Sequence, residues 1–167
     1  MRLSTLVPWR RAVVLVLVAA VLGVGVFVGL RPGDVVKLRE AFNAAPGRKI
    51  LLDVSPTCPI CTSVVDELQQ RLATDGDAQL RVFVVYSRFL RWDRLGVWRT
   101  RVRDSRVTQL WDSDGLVAAE LCRPPASTAL CEKSPRLFGA VLWFEPGAPW
   151  RSAPAWEGFD ELPPVTR

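Results

Sequence analysis

The spacing of apolar and polar positions changes several times along the chain, and each change predicts a new element. Ala12 to Leu30 (AVVLVLVAAVLGVGVFVGL) runs for nineteen residues without a charge or strongly polar group. At about 1.5 Å of rise per residue, that is close to the thickness of a bilayer core. Over 34–43, Val35, Val36, Leu38 and Phe42 recur at near-helical spacing, with Asp34 placed to cap the turn after Pro32-Gly33. Pro46-Gly47 breaks that pattern, and Ile50 to Val54 is a short apolar run of the buried-strand type. A helix is predicted from about Pro59 to Ala73, with Val64, Val65, Leu68 and Leu72 on one face. Asp75-Gly76-Asp77 turns the chain into a second strand, Leu80 to Tyr86. The spacing of Trp92, Leu95, Trp98 and Val102 predicts an amphipathic helix over 88–103. Val107 to Trp111 reads as extended, Leu116 to Leu121 as a short helix, and Leu137 to Phe144 as the last strand, stopped by Glu145-Pro146-Gly147. The remaining stretch, 148–167, reads as an irregular Pro- and Trp-containing extension. Strands alternating with helices give an α/β class with a parallel element.

The first apolar run is read as a single transmembrane signal-anchor over 12–30, with residues 1–11 cytoplasmic. A cleaved signal peptide has an apolar stretch of about 7 to 15 residues ending in a small-residue site. This run is longer, and Val26-Phe27-Val28-Gly29-Leu30 offers no such site. A buried core helix would need a polar face, which the run lacks, and the residues around Arg10-Arg11 do not make a twin-arginine export pattern. Arg2, Arg10 and Arg11 favour an N-terminus inside the cell, although Arg31, Lys37 and Arg39 follow on the far side. The expected location is a bacterial inner membrane, crossed once, with the domain on its outer, oxidising side.

Composition narrows the chemistry. Hydrophobic residues make up 49% of the chain, including seven Trp and seven Phe, enough apolar surface to offset the entropy of folding. The net charge of +5 loses most of its meaning once the three arginines before the apolar run are set aside. Residues 31–167 then carry only +2, and neither the charge nor the compartment favours nucleic acid. Histidine is absent. That excludes Ser-His-Asp and Cys-His triads, His-ligated metals and a His proton switch.

The strongest chemical signal is Cys58-Pro59-Ile60-Cys61, set between a predicted strand and a predicted helix. This position puts the first sulfur at a helix N-terminus, where free backbone N–H groups favour a thiolate. Pro59 suits the first turn because its missing N–H had no partner to lose. The second sulfur lies one turn on, near enough to resolve a mixed disulfide on the first. Zinc knuckles also use C-x-x-C. The other two cysteines, Cys122 and Cys131, have eight residues between them, wider than the usual metal-ligand spacing. No metal and no cofactor is expected.

Ser55-Pro56-Thr57-Cys58-Pro59-Ile60-Cys61 resembles the active-site segment of the thioredoxin-like superfamily. It is most similar to the membrane-anchored extracytoplasmic branch that includes cytochrome-maturation and methylamine-utilisation accessory thioredoxins. The resemblance covers about residues 35–147 and implies a thioredoxin-like domain over 31–147. Its fold would be a central mixed sheet flanked by helices, preceded by the one transmembrane helix. The resemblance also implies catalytic roles for Cys58, Cys61 and Asp53. Asp53 falls near the buried carboxylate that helps move a proton from the second cysteine, but one residue closer to the motif than in thioredoxin. Pro59 and Gly139 are the implied substrate-binding positions. Gly139 stands where thioredoxins carry a cis-proline, and the nearest proline, Pro135, is four residues too early.

Cys122 and Cys131 are expected to form a structural disulfide, with a second redox pair and two free thiols as the alternatives. Eight arginines against Asp93 and Asp104 make residues 81–106 locally basic, either as a solvated face or as a dock for an acidic partner or lipid headgroups. Two functions fit these residues. One is a tethered thiol–disulfide oxidoreductase acting on cysteine pairs of exported proteins. The other is a noncatalytic thioredoxin-like interaction module with a structural Cys58–Cys61 bridge. Copper delivery ranks third, since the His and Met that usually complete such a site are missing.

Overall fold

The structure is a computed structural model that describes residues 32–93, 97, 100–124 and 128–163. The apolar run at 12–30 and the expected cytoplasmic segment lie outside the described residues. Among the described residues, no helix is long and apolar enough to cross a membrane.

The elements in chain order are α1 (Pro32–Ala44), β1 (Lys49–Val54), α2 (Pro59–Thr74), β2 (Arg81–Ser87), β3 (Val107–Asp112), α3 (Leu116–Leu121), α4 (Leu130–Lys133), β4 (Ala140–Phe144) and β5 (Trp156–Phe159). The five strands form one sheet in the order β3-β2-β1-β4-β5. The first three are parallel, with Val54 opposite Tyr86 and Tyr86 opposite Trp111. β4 runs antiparallel to β1, and β5 antiparallel to β4.

β1 and β2 are near-continuous apolar runs because the sheet is covered on both faces. Side chains alternate across a strand. Ile50, Leu52, Val54, Val82, Val84 and Tyr86 therefore pack on Cys61, Val64, Val65, Leu68 and Leu72 of α2. Leu51, Phe83, Val85, Leu142 and Phe144 face the other way, onto Val35, Leu38 and Phe42 of α1 and Val117, Ala118 and Leu121 of α3. The result is a mixed α/β architecture, a central mixed sheet flanked by helices.

Two expectations are corrected by the structure. The stretch after 147 is not an irregular extension. Trp156–Phe159 completes the sheet, and Trp150 packs edge-on against Phe42 at 5.2 Å while its backbone N–H donates to Asn43 at 2.6 Å. Proline-rich local composition hides a four-residue strand whose pairing comes entirely from β4. The last predicted strand begins three residues late, because Leu137 and Gly139 sit at φ 53° and 75°, outside the strand region. Within the helix expected over 88–103, residues 94–96, 98 and 99 lie outside the described residues. The chain at 88–92 and 100–103 is turns and irregular structure.

Candidate functional site

β1 ends at Val54, and Ser55-Pro56-Thr57 carries the chain over the sheet edge into α2. Cys58 is the N-cap of that helix, with an extended backbone (φ −79°, ψ 117°), and Pro59 occupies the first turn. The cap is made by sulfur: the Cys61 backbone N–H donates to Cys58 Sγ at 3.3 Å. Cys58 is half-buried, and both Pro59 and Ile60 are exposed. Cys61, one turn along, is 4% exposed and packs in the core beneath α2. The two sulfurs are not bonded to each other.

The Cys61 thiol is pushed up to about 12, chiefly by burial, with the Cys58 sulfur and the nearby Asp160 charge adding to the effect. The Cys61 S–H donates to Asp160 Oδ1 at 3.7 Å. Asp160 follows β5 directly and has φ 53°, a left-handed backbone uncommon outside glycine. Its N–H donates to the Gly139 carbonyl at 2.8 Å, and the Gly139 N–H donates to the Asp53 carbonyl at 2.9 Å. Gly139 also leaves the space that the Asp160 side chain fills. A Cβ there would lie 2.5 Å from Asp160 Oδ1.

Asp53 was expected to serve Cys61, and the structure places the two on opposite faces of the sheet. Alternation sends Asp53 to the α1 and α3 side with Leu51, while Cys61 packs with Leu52 and Val54 on the α2 side. The one-residue offset in spacing has this consequence, because a shift of one along a strand exchanges its faces. Asp53 Oδ2 accepts from the Ser87 hydroxyl at 2.8 Å, and Oδ1 is buried without a partner. Burial pushes this carboxyl well above the ordinary range; the Ser87 bond opposes that, and the Asp112 charge reinforces it. The carboxylate against the buried thiol is Asp160, which sequence reasoning missed. In sequence the segment reads as a tail, and no local pattern links Asp160 to Cys61 across 99 positions.

Asp93 is the second residue that sequence reasoning missed. It is fully buried and accepts hydrogen bonds from the backbone N–H groups of Phe89 (2.5 Å) and Leu90 (2.7 Å) and from the hydroxyls of Ser55 (3.2 Å) and Thr57. Burial alone would raise its carboxyl, yet these donors hold it below its ordinary value. The carboxylate ties the Ser55–Thr57 crossing to the turn after β2. Away from this site, Cys122 and Cys131 are joined in a disulfide with Cα atoms 5.4 Å apart, closing the loop between α3 and α4. Among the described residues there is no cluster of three or more side chains suited to holding a metal ion.

No family model matches the chain, and no curated protein matches it. Among solved structures, it is similar to that of a secreted Mycobacterium tuberculosis disulfide oxidoreductase homologous to E. coli DsbE, at 16% identity and a TM-score of 0.40. The match covers 61% of this chain and 64% of that one, so this chain spans just under two thirds of that structure's length.

Proposed function

We propose that the protein is a membrane-tethered thiol–disulfide oxidoreductase that exchanges disulfides with cysteine pairs of exported proteins through Cys58-Pro59-Ile60-Cys61. The observation that carries this reading is the asymmetry of the two sulfurs. One is half-buried at a helix N-cap and receives a backbone N–H; the other is buried one turn along against a carboxylate. Attack by the Cys58 thiolate on a client disulfide forms a Cys58–client bond and releases one client thiolate. Cys61 then gives its proton to Asp160, attacks Cys58 Sγ and expels the second client thiolate. The client gains two electrons, its two thiolates are protonated by the proton passed to Asp160 and by one from water, and the protein is left with a Cys58–Cys61 disulfide. The reverse sequence oxidises a client dithiol, and the difference in reduction potential sets the direction. In this scheme the carboxylate expected at Asp53 is supplied by Asp160, and Gly139 serves the site by leaving room for it.

The uncharged run at 12–30 supports anchoring in a bacterial inner membrane with the domain on the outer side. Sedimentation with membranes after a high-salt wash is the expected result, and a soluble form starting near residue 31 would refute it. The decisive experiment on function is Cys61→Ser. Without its resolving thiol, the variant should accumulate mixed disulfides with exported proteins through Cys58. If a folded variant traps nothing and the unmodified protein exchanges with no small disulfide, the chain is an interaction module instead.

A further inference from the structure

Four described arginines of the basic stretch at 81–106 divide in two once they are placed on the sheet. Arg81 and Arg106 sit at the start of β2 and next to β3, where they are spent on structure. Arg106 pairs with Asp104 at 2.8 Å and donates to the carbonyls of Leu72, Asp75 and Asp77. Arg81 donates to the carbonyls of Ala78 and Leu80. Arg88 and Arg91 lie past the other end of β2 and are exposed, as is Arg136 from the loop before β4. Among the described residues, none of these three has an ion pair or a side-chain hydrogen bond.

These three arginines line one cleft of about 660 Å³, together with Phe89 and Phe138, whose rings meet edge to face at 5.6 Å. Two carboxylates also line it. Asp112 is fully buried and is spent on the backbone N–H groups of Leu116 (3.0 Å) and Val117 (2.8 Å); Asp114 is exposed. The cleft therefore presents three open guanidinium groups against one open carboxylate. It sits at the carboxyl ends of the parallel strands, the end from which β1 delivers Cys58, and where α/β sheets commonly bind ligands. Asp93 fastens its Phe89-Leu90 wall to the residues just before Cys58. Phe89, part of the cleft lining, is 65% exposed, so the rim is apolar as well as basic.

We propose that this cleft binds an acidic segment of the client polypeptide, next to the cysteine that reacts at Cys58. The inference rests on the exchange reading above. Arginine suits this role because its fork matches a carboxylate bidentately. The apolar rim accepts the side chains that flank the client's cysteine, which a flat layer of lipid headgroups does not supply. The redox site then selects clients by negative charge, and the selection acts mainly on the rate of encounter.

The test uses the detergent-solubilised full chain and two peptides that contain the same internal disulfide, one flanked by glutamates and one by lysines. At low salt, kcat/KM for the glutamate peptide should exceed that for the lysine peptide by about tenfold or more. The gap should close as salt rises to about 0.5 M. Replacing Arg88, Arg91 and Arg136 by Glu should reverse the preference, and replacing them by Gln should erase it. Equal kcat/KM for the two peptides, or a preference that survives charge reversal, overturns the proposal. So does arginine-dependent binding to anionic phosphatidylglycerol vesicles without peptide discrimination, which assigns the patch to lipid. Exchange of the unmodified protein with hydroxyethyl disulfide is measured separately, so loss of the redox reading itself is not mistaken for loss of charge selection.

Discussion

The two cysteine pairs of this protein occupy different kinds of place, and the contrast sets the pair proposed to react apart from a brace. Cys122 and Cys131 join two short helices, α3 and α4, and are both half-buried against the α1-side core. They are alike in exposure and bonded to each other. Cys58 and Cys61 share one long helix start and are unlike in every respect that matters for exchange. One reaches the surface and accepts a hydrogen bond, while the other is buried, holds its proton strongly and donates to a carboxylate. Closing a loop needs two sulfurs within reach. Exchange needs two sulfurs that do different jobs.

The largest expected effect separates the pairs outright. Cys58→Ser should abolish disulfide exchange, measured with a fluorescent peptide disulfide. Replacing Cys122 and Cys131 together by Ser should leave the exchange rate within about twofold of the unmodified protein. The double replacement should instead lower the unfolding free energy by roughly 2.5 kcal/mol in denaturant titrations, the chain-entropy value for a bridge spanning nine positions. A fall in exchange as large as that of Cys58→Ser would make the second pair a relay and end the contrast.

Asp160→Asn comes next. The amide cannot take the Cys61 proton, so resolution of the mixed disulfide should slow by about 10²-fold, seen as a long-lived adduct in rapid-quench experiments. Removing the negative charge should also lower the Cys61 value somewhat from about 12, although burial, the larger cause, stays in place. The slow step should recover partly at high pH. A rate unchanged by the substitution removes Asp160 from the mechanism.

Gly139→Ala is a milder version of the same lesion. A side chain at φ 75° costs roughly 1–2 kcal/mol, and its Cβ would push the Asp160 carboxylate off Cys61. A partial Asp160→Asn phenotype together with reduced stability is the expected result. Normal resolution would show that the glycine serves the turn alone.

The smallest effect concerns Asp53. Its folded carboxyl lies above its unfolded value, so the protonated form favours the fold. Stability from this group is complete below the unfolded value of about 3.9 and is lost as pH rises through the folded one. Asp53→Asn should therefore stabilise the protein at neutral pH, on the order of 1 kcal/mol, with the gain vanishing in acid. Asp93 works with the opposite sign. Its carboxyl is held low, so the stability it contributes is lost as pH falls. A destabilising Asp53→Asn at neutral pH would mean that the charged carboxylate does essential work.

What the sequence displayed and what it hid divide along the same line as local and distant contacts. β1, β2 and α2 were legible because buried parallel strands are continuous apolar runs and α2 repeats its apolar positions every three or four residues. The motif was legible because its chemistry spans four residues. Asp53 misled because a carboxylate at nearly the right distance along a strand lies on the wrong face when the count is off by one. β5 and Asp160 were illegible because four residues between prolines carry no periodic signal, and their roles come from β4 and Gly139. The placement of the arginines was illegible for a similar reason: β2 sets Arg81 and Arg106 at one end of the sheet and Arg88 and Arg91 at the other.

The 99 positions between Cys61 and Asp160 also have a consequence in time. A ribosome working at roughly 5–20 residues per second needs about 5–20 s to reach the carboxylate after completing the motif. Throughout that interval the nascent chain carries both thiols without the carboxylate proposed to accept the proton of the second. The pairing of β5 with β4 then acts as the last assembly step, setting the carboxylate beside the second thiol and completing the proposed exchange site.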